Sequence, residues 1–225
     1  MQRGYPVQLN LDGVSCVVVG GGKVAARKIK QLLQSGAKIV IISPAVTAEI
    51  TQWEQEGRVI VYRRDYKGRD ELAGFRLVFA ATSSEAVNAT VCEDAEALGL
   101  FSNNTSHSEG GTFLVPAALR RGSLVITVST SGASPGLAIK LRDELESRIG
   151  WEYEEYVNFL AVLRAKVSSK IDEPQTRTII FHNVLKFDIL DLIRKGRLEE
   201  YQSRVFAELD RTHENQEWER ILSPN

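Results

Sequence analysis

The 225-residue chain is poor in the features that staple, anchor or globally charge a protein. It has two cysteines, too few for a disulfide framework. Cys16 lies in the apolar run Val14–Val19 and Cys92 in a helix-like stretch, so both read as small buried hydrophobes suited to a reducing compartment. The three histidines, His107, His182 and His213, are scattered and no Cys-x-x-Cys exists, so no preformed zinc site is expected. No apolar run approaches the roughly 20 residues of a membrane helix. The opening Met1-Gln2-Arg3-Gly4-Tyr5-Pro6 lacks the apolar core of a signal peptide. Charge of one sign is missing too: 28 Lys+Arg face 29 Asp+Glu, a formal net charge of -1. Without a basic field the chain is not expected to hold nucleic acid, and any anionic ligand must be held by local arrangement. The expectation is a soluble cytoplasmic protein with neither nucleic-acid nor membrane partners.

What is present is an ordinary globular composition, with 43% hydrophobic and 25% charged residues. The first hundred residues alternate between strand-like and helical periods. Val14–Val19 is a continuous apolar run closed by Gly20-Gly21-Gly22, and Val24, Ala25, Ile29, Leu32 and Leu33 then recur at helical spacing up to Gly36. Lys38–Ser43 reads as a second strand stopped by Pro44. Thr47–Glu56 reads as a helix with Thr47 as its N-cap. Val59–Tyr62, Leu77–Ala81 and Leu100–Asn103 follow as strands, with a helix over Glu85–Leu98. Strands apolar throughout and separated by helices predict a doubly wound, Rossmann-like α/β domain with a parallel sheet, over residues 1–114. Residues 115–150, with a strand Leu124–Ser129 and a helix from about Gly136 to Ile149 that starts at Ser134-Pro135, read as a small α+β segment. Residues 151–225 read as a helical region, with amphipathic helices over Tyr153–Val167 and Thr176–Lys195. The stripe Tyr153, Tyr156, Phe159, Leu160 reads as core or dimer packing.

The chemistry-bearing signal is Gly20-Gly21-Gly22-Lys23-Val24-Ala25, a G-x-G-x-x-A turn between the first strand and the first helix. The first glycine permits the tight turn, the second admits a pyrophosphate to the backbone N–H groups, and the small sixth residue lets the helix pack on the sheet. The anion then rests on the positive end of the helix dipole. A structural glycine turn is the alternative reading of the same residues. The usual acidic residue for the ribose is missing: the second strand ends Ile42-Ser43-Pro44. NAD and NADP are therefore not separated at this position.

These residues resemble the precorrin-2 dehydrogenase/sirohydrochlorin ferrochelatase family, which includes the N-terminal half of siroheme synthase. The resemblance runs in order through Val18–Lys28, Ala80-Ala81-Thr82, Val87-Asn88, Asn103, Phe113–Pro116 and Val128–Pro135, about residues 7–150. It implies NAD-dependent oxidation of precorrin-2 to sirohydrochlorin by a homodimer, with iron insertion in some members. It places Gly20, Gly22, Lys23 and Val24 at the pyrophosphate, Ser43 and Pro44 at the adenosine end, and Thr82 and Asn103 near the nicotinamide. The aspartate that many members carry after the fifth strand is Ser106 here, followed by His107. These two are the catalytic candidates, and His107, with an ordinary pKa near ~6.5, is the one able to accept a proton.

The tetrapyrrole carries many carboxylates and needs donors. The run Ser129, Thr130, Ser131, Gly132 and Ser134 offers hydroxyls and N–H groups at a helix start. An ordinary capped turn explains the same run physically, and the resemblance favours substrate. Arg120, Arg121 and Lys140 read first as a solvated face. Dehydrogenase activity without efficient metal chelation is the leading expectation. The alternatives are a bifunctional ferrochelatase and a non-catalytic NAD-binding regulatory module.

Overall fold

A computed structural model describes residues 4–106, 110–211 and 218–224. The chain forms two compact units: residues up to Val115 together with Ser131–Ser134, and Pro116–Thr130 together with Pro135 onward. The 115–150 segment thus falls largely in one unit with the helical region.

The first unit is built on five parallel strands: β1 (Ser15–Val19), β2 (Lys38–Ile42), β3 (Val59–Tyr62), β4 (Leu77–Ala80) and β5 (Phe101–Asn104). Their order in the sheet is β3-β2-β1-β4-β5. Successive side chains of a strand point to opposite faces, so apolar runs such as Ser15–Val19 feed two cores at once. Val18, Ile41 and Phe79 pack on one face with Ala25 and Ile29 of α1 (Lys23–Leu33) and Ile50 and Trp53 of α2 (Ala48–Gln55). Val17, Val19, Val78 and Ala80 pack on the other with Val91, Cys92 and Ala95 of α3 (Glu85–Ala97). Leu72, from a 3-10 turn over Arg69–Leu72 that the sequence pattern did not indicate, joins the second core. The helices on both faces make this the Rossmann-like architecture expected. The chain steps outward through β2 and β3, then returns to the far side of β1 as β4. This reversal opens a crevice beyond the carboxyl ends of β1 and β4, the usual place for a ligand in such sheets.

The second unit opens with an antiparallel hairpin, β6 (Ala117–Arg121) and β7 (Leu124–Val128), with Arg121 opposite Leu124. Its two-residue turn is Gly122-Ser123, and Gly122 has φ of +53°, a left-handed conformation that glycine accepts without steric cost. α4 (Pro135–Arg148) starts at the expected proline. It is followed by α5 (Glu152–Lys170), α6 (Pro174–Val184), α7 (Ile189–Arg194), α8 (Leu198–Asp210) and α9 (Trp218–Leu222). Phe159, Leu163, Val167, Ile180, Val184, Leu192, Val205 and Leu209 form their shared core, with Tyr156 and Leu160 packed against it. The expected helix over Thr176–Lys195 is two helices. Asp188 interrupts it, its carboxylate accepting the Asp191 N–H at 3.0 Å and so starting α7 anew. Glu152, buried at the start of α5, accepts hydrogen bonds from the Arg194 guanidinium, which holds its pKa below the ordinary carboxylate value. No helix among the described residues is long and apolar enough to cross a membrane.

Candidate functional site

The glycine turn sits where β1 meets α1, and its three glycines answer to different demands. Gly20 has φ of +122°, and a Cβ there would lie 2.2 Å from the Ala81 carbonyl oxygen. Its N–H donates to the Ile42 carbonyl at 2.9 Å, so the turn is pinned between β2 and β4. Gly21 is wedged against the loop after β2: a Cβ would lie 2.2 Å from the Ala45 oxygen, and its own carbonyl accepts the Thr47 N–H at 3.0 Å. Gly22 is different. Its φ of -80° and ψ of -173° are open to any residue, and nothing lies within 4 Å of where its Cβ would stand. The fold therefore requires glycine at 20 and 21 but not at 22, where the clear space fits a close-approaching ligand.

Gly22 is also the N-cap of α1, and it supplies no side-chain acceptor to the first-turn N–H groups. α1 carries no acidic residue in its first turn, which begins with Lys23 and Val24, both exposed. The positive end of the helix dipole is thus uncapped and open to an anion. Lys28, half-buried further along the helix, has its pKa pushed down to about 8, by burial first and by neighbouring Arg27 second.

Ser43 is buried at the end of β2 and donates its hydroxyl proton to the Ala45 carbonyl at 2.7 Å. It retains only acceptor capacity toward a ligand, whereas the adjacent Pro44 is exposed. The two arginines that follow β3 are both paired. Arg63 is clamped by Glu54 at 2.7 and 2.6 Å, while Arg64 pairs with Glu71 and lies over the Tyr62 ring.

On the β4 side the Thr82 hydroxyl lies 3.0 Å from the Ser84 carbonyl and 2.8 Å from Asn88 Oδ1, and it accepts the Ser84 N–H. The hydroxyl is therefore engaged locally, leaving Thr82 to act through the shape of its loop. Asn103 is 4% exposed on β5, beside Phe79 in the sheet register. Its Nδ2 donates to the Phe113 carbonyl at 2.9 Å, and its Oδ1 is buried without a hydrogen-bond partner. A buried acceptor left unpaired is costly, so Oδ1 is suited to a ligand donor.

Ser106 is exposed beyond β5, its Oγ accepting from Asn88 Nδ2 at 2.7 Å. His107 lies outside the described residues. Asn88, matched in the sequence but given no role there, is fully buried and ties the Thr82 loop to Ser106. Only the tertiary structure brings these segments together.

The Ser129–Ser134 run forms the β7–α4 loop, divided between the two units after Thr130. Ser131, at φ of +52°, is the one described non-glycine residue with positive φ, and Gly132 follows at +85°. Such left-handed strain at a hydroxyl-rich turn recurs at ligand sites. Arg121, half-buried, donates to the Ile149 carbonyl and pairs with Glu146. It is held in place within its own unit. Among the described residues no group of three His, Cys, Asp or Glu is arranged to hold a metal ion.

The family model described as "Putative NAD(P)-binding" matches residues 7–117, and the one described as "Sirohaem biosynthesis protein central" matches residues 121–148. A precorrin-2 dehydrogenase of Priestia megaterium is 37% identical over 163 residues, covering 72% of this chain and 80% of the relative. A siroheme synthase of Nitrosococcus oceani is 32% identical over 205 residues, 91% of this chain but only 44% of the relative. The chain thus spans less than half the length of that larger protein. The solved structure titled "SirC, precorrin-2 dehydrogenase" superposes with a TM-score of 0.75 at 31% identity, covering 89% of this chain and 99% of that one. The glycine turn therefore belongs to an NAD(P)-binding domain, and the chain is a member of the precorrin-2 dehydrogenase family.

Proposed function

We propose that this protein oxidises precorrin-2 to sirohydrochlorin in siroheme biosynthesis, with NAD rather than NADP as the oxidant. The observation that carries the reading is Gly22, whose backbone and surroundings would accept any side chain, yet which stands at the uncapped start of α1. The N–H groups of Lys23 and Val24 would hold the diphosphate there, and Lys23 adds a cation beside it. Ser43 and Pro44 would line the adenosine end, with the Thr82 loop and Asn103 Oδ1 toward the nicotinamide. The preference for NAD is supported by the residues after β2, Ser43 to Thr47, which include no cation, and by the pairing of Arg63 and Arg64 with Glu54 and Glu71. A ribose 2′-phosphate would have to compete with Glu54 and Glu71 for these arginines.

When bound, the dinucleotide supplies the hydride acceptor. The chain has little covalent chemistry to perform, because oxidation extends the conjugation of the tetrapyrrole and much of the driving force lies in the substrate. The protein has to orient a C–H bond, exclude water and provide for one proton. We assign that proton to His107 on the chemistry of its imidazole. The Ser129, Thr130, Ser131, Gly132 and Ser134 turn is assigned to substrate carboxylates, on its hydroxyls and its strained backbone.

A second copy of the chain is the partner we assign to the β6–β7–α4 layer, in the cytoplasm. α4 buries only Ala138 and exposes Leu137, Ile139 and Leu141, and most hairpin side chains are half-buried. Sedimentation at twice 25.0 kDa tests this. Iron insertion has no support comparable to that for oxidation, since position 106 holds a serine, a poor iron ligand. Incubation with precorrin-2 and NAD should produce the sirohydrochlorin absorption band and reduced cofactor together. An unchanged spectrum with active substrate would instead favour a non-catalytic nucleotide-binding module.

A further inference from the structure

Asn88 and Ser106 stand one behind the other next to the crevice, and the arrangement of their hydrogens is determined. Asn88 is 0% exposed. The Thr82 backbone N–H donates to its Oδ1 at 3.0 Å, and because an N–H can only donate, this bond fixes which end of the amide is oxygen. Both Nδ2 hydrogens are then committed, one to the Thr82 carbonyl at 3.1 Å and one to Ser106 Oγ at 2.7 Å. The Ser106 N–H is used as well, donating to Asn104 Oδ1 at 3.0 Å. Ser106 Oγ thus receives a hydrogen from Asn88 and cannot return its own, since an amide nitrogen offers no acceptor. Among the described residues nothing accepts the Ser106 proton, and the side chain is exposed. The same clamp reaches the nucleotide turn, because the Ala81–Thr82 backbone is what Gly20 packs against.

We propose that Asn88 is a positioning residue that holds Ser106 as a hydrogen-bond donor toward an acceptor oxygen of a bound reactant, and that Ser106 does not take the proton of the oxidation. The inference rests on the dehydrogenase reading and deepens it. A hydroxyl that already accepts an amide hydrogen, with no base among the described residues placed to take its own proton, is a donor at neutral pH. In the oxidation, bound NAD+ would take the hydride from carbon and become NADH, and the accompanying proton would go to a group other than Ser106. The acceptor oxygen belongs either to the nicotinamide carboxamide or to a tetrapyrrole carboxylate, and binding experiments tell the two apart.

The test is calorimetric titration of wild type and Ser106→Ala with NAD and, separately, with uroporphyrin as an octacarboxylate probe, alongside steady-state kinetics with precorrin-2. Loss of one hydrogen bond predicts weakening of one titration by about 5- to 10-fold. The matching KM should rise equally, with kcat and the shape of the pH profile retained. Ser106→Thr, which keeps the hydroxyl, should restore binding. Asn88→Ala should reproduce the Ser106→Ala weakening, and the double variant should bind no worse than Asn88→Ala alone. The Ser106 variants alter an exposed side chain, so they decide the matter even where Asn88→Ala does not fold. Unchanged titrations in Ser106→Ala overturn the proposal. So does a kcat loss of about 100-fold with loss of a limb in the pH profile, the signature of a proton acceptor. Failure of wild type to oxidise precorrin-2 would remove the dehydrogenase reading, while the titrations would still settle the role of Ser106.

Discussion

α1 and α3 both begin at the carboxyl end of a central strand, on opposite faces of one sheet, yet their first turns are opposites. α3 is closed: Ser84 caps it by accepting the Val87 N–H at 3.4 Å, and Glu85 adds an acid to the first turn. α1 has no side-chain cap and no acid there, and it opens with Lys23. The contrast continues along the helices. α1 carries Lys23, Arg27, Lys28 and Lys30 and no carboxylate, while α3 carries Glu85, Glu93, Asp94 and Glu96 and no cation. A helix whose N–H groups are satisfied internally gains stability, and one left open keeps its binding capacity at some cost in stability.

The largest expected effect comes from making α1 resemble α3. Gly22→Asp places a capping carboxylate at the N-cap, in space that is clear of other atoms and with a backbone that tolerates it. NAD affinity should fall about 100-fold, or about 2.7 kcal/mol, from repulsion and occupation of the diphosphate position. Thermal stability should hold or rise, because Asp is a better cap than Gly. The converse variant, Ser84→Ala, opens α3. It should lower unfolding stability in denaturant titration by about 1 kcal/mol. NAD binding should be unchanged, since the diphosphate is assigned to α1 and not to α3.

A smaller effect concerns the charge on α1. Lys28 holds its proton to about pH 8 when folded, against about 10.4 for an ordinary lysine. Between these values the unfolded chain binds more protons, so this group makes stability rise with pH. Below pH 8 the charged, half-buried lysine is a standing cost. Lys28→Met should therefore raise the melting temperature at pH 7, and its advantage over wild type should shrink as pH approaches 10. An equal advantage at both pH values would contradict the burial argument.

Most of the first unit was legible in the sequence because its signals are local. Apolar runs bounded by glycine mark the buried strands, and Thr47 caps α2 at the position its sequence suggests. β6 is not legible in the sequence, because Ala117-Ala118-Leu119-Arg120-Arg121 has little β-branched character and gains its strand form from pairing with β7. The Gly122-Ser123 pair was the available cue. The break between α6 and α7 had a cue as well, Asp188 followed by Asp191 in a new first turn. Of the site, the glycine turn and the separate parts of Gly20 and Gly22 were readable, but the need for glycine at 21 was not, because it depends on how close the Ala45 carbonyl comes. Nor was the joint use of Asn88 by Thr82 and Ser106, which are far apart along the chain.

The central claim is that the open turn of α1 holds a dinucleotide diphosphate, and a crystal grown with oxidised NAD addresses it directly. The account predicts diphosphate oxygens within hydrogen-bond reach of the Lys23 and Val24 backbone N–H groups, filling the clear space beside Gly22. Cofactor bound elsewhere, with side chains occupying that space, would contradict it.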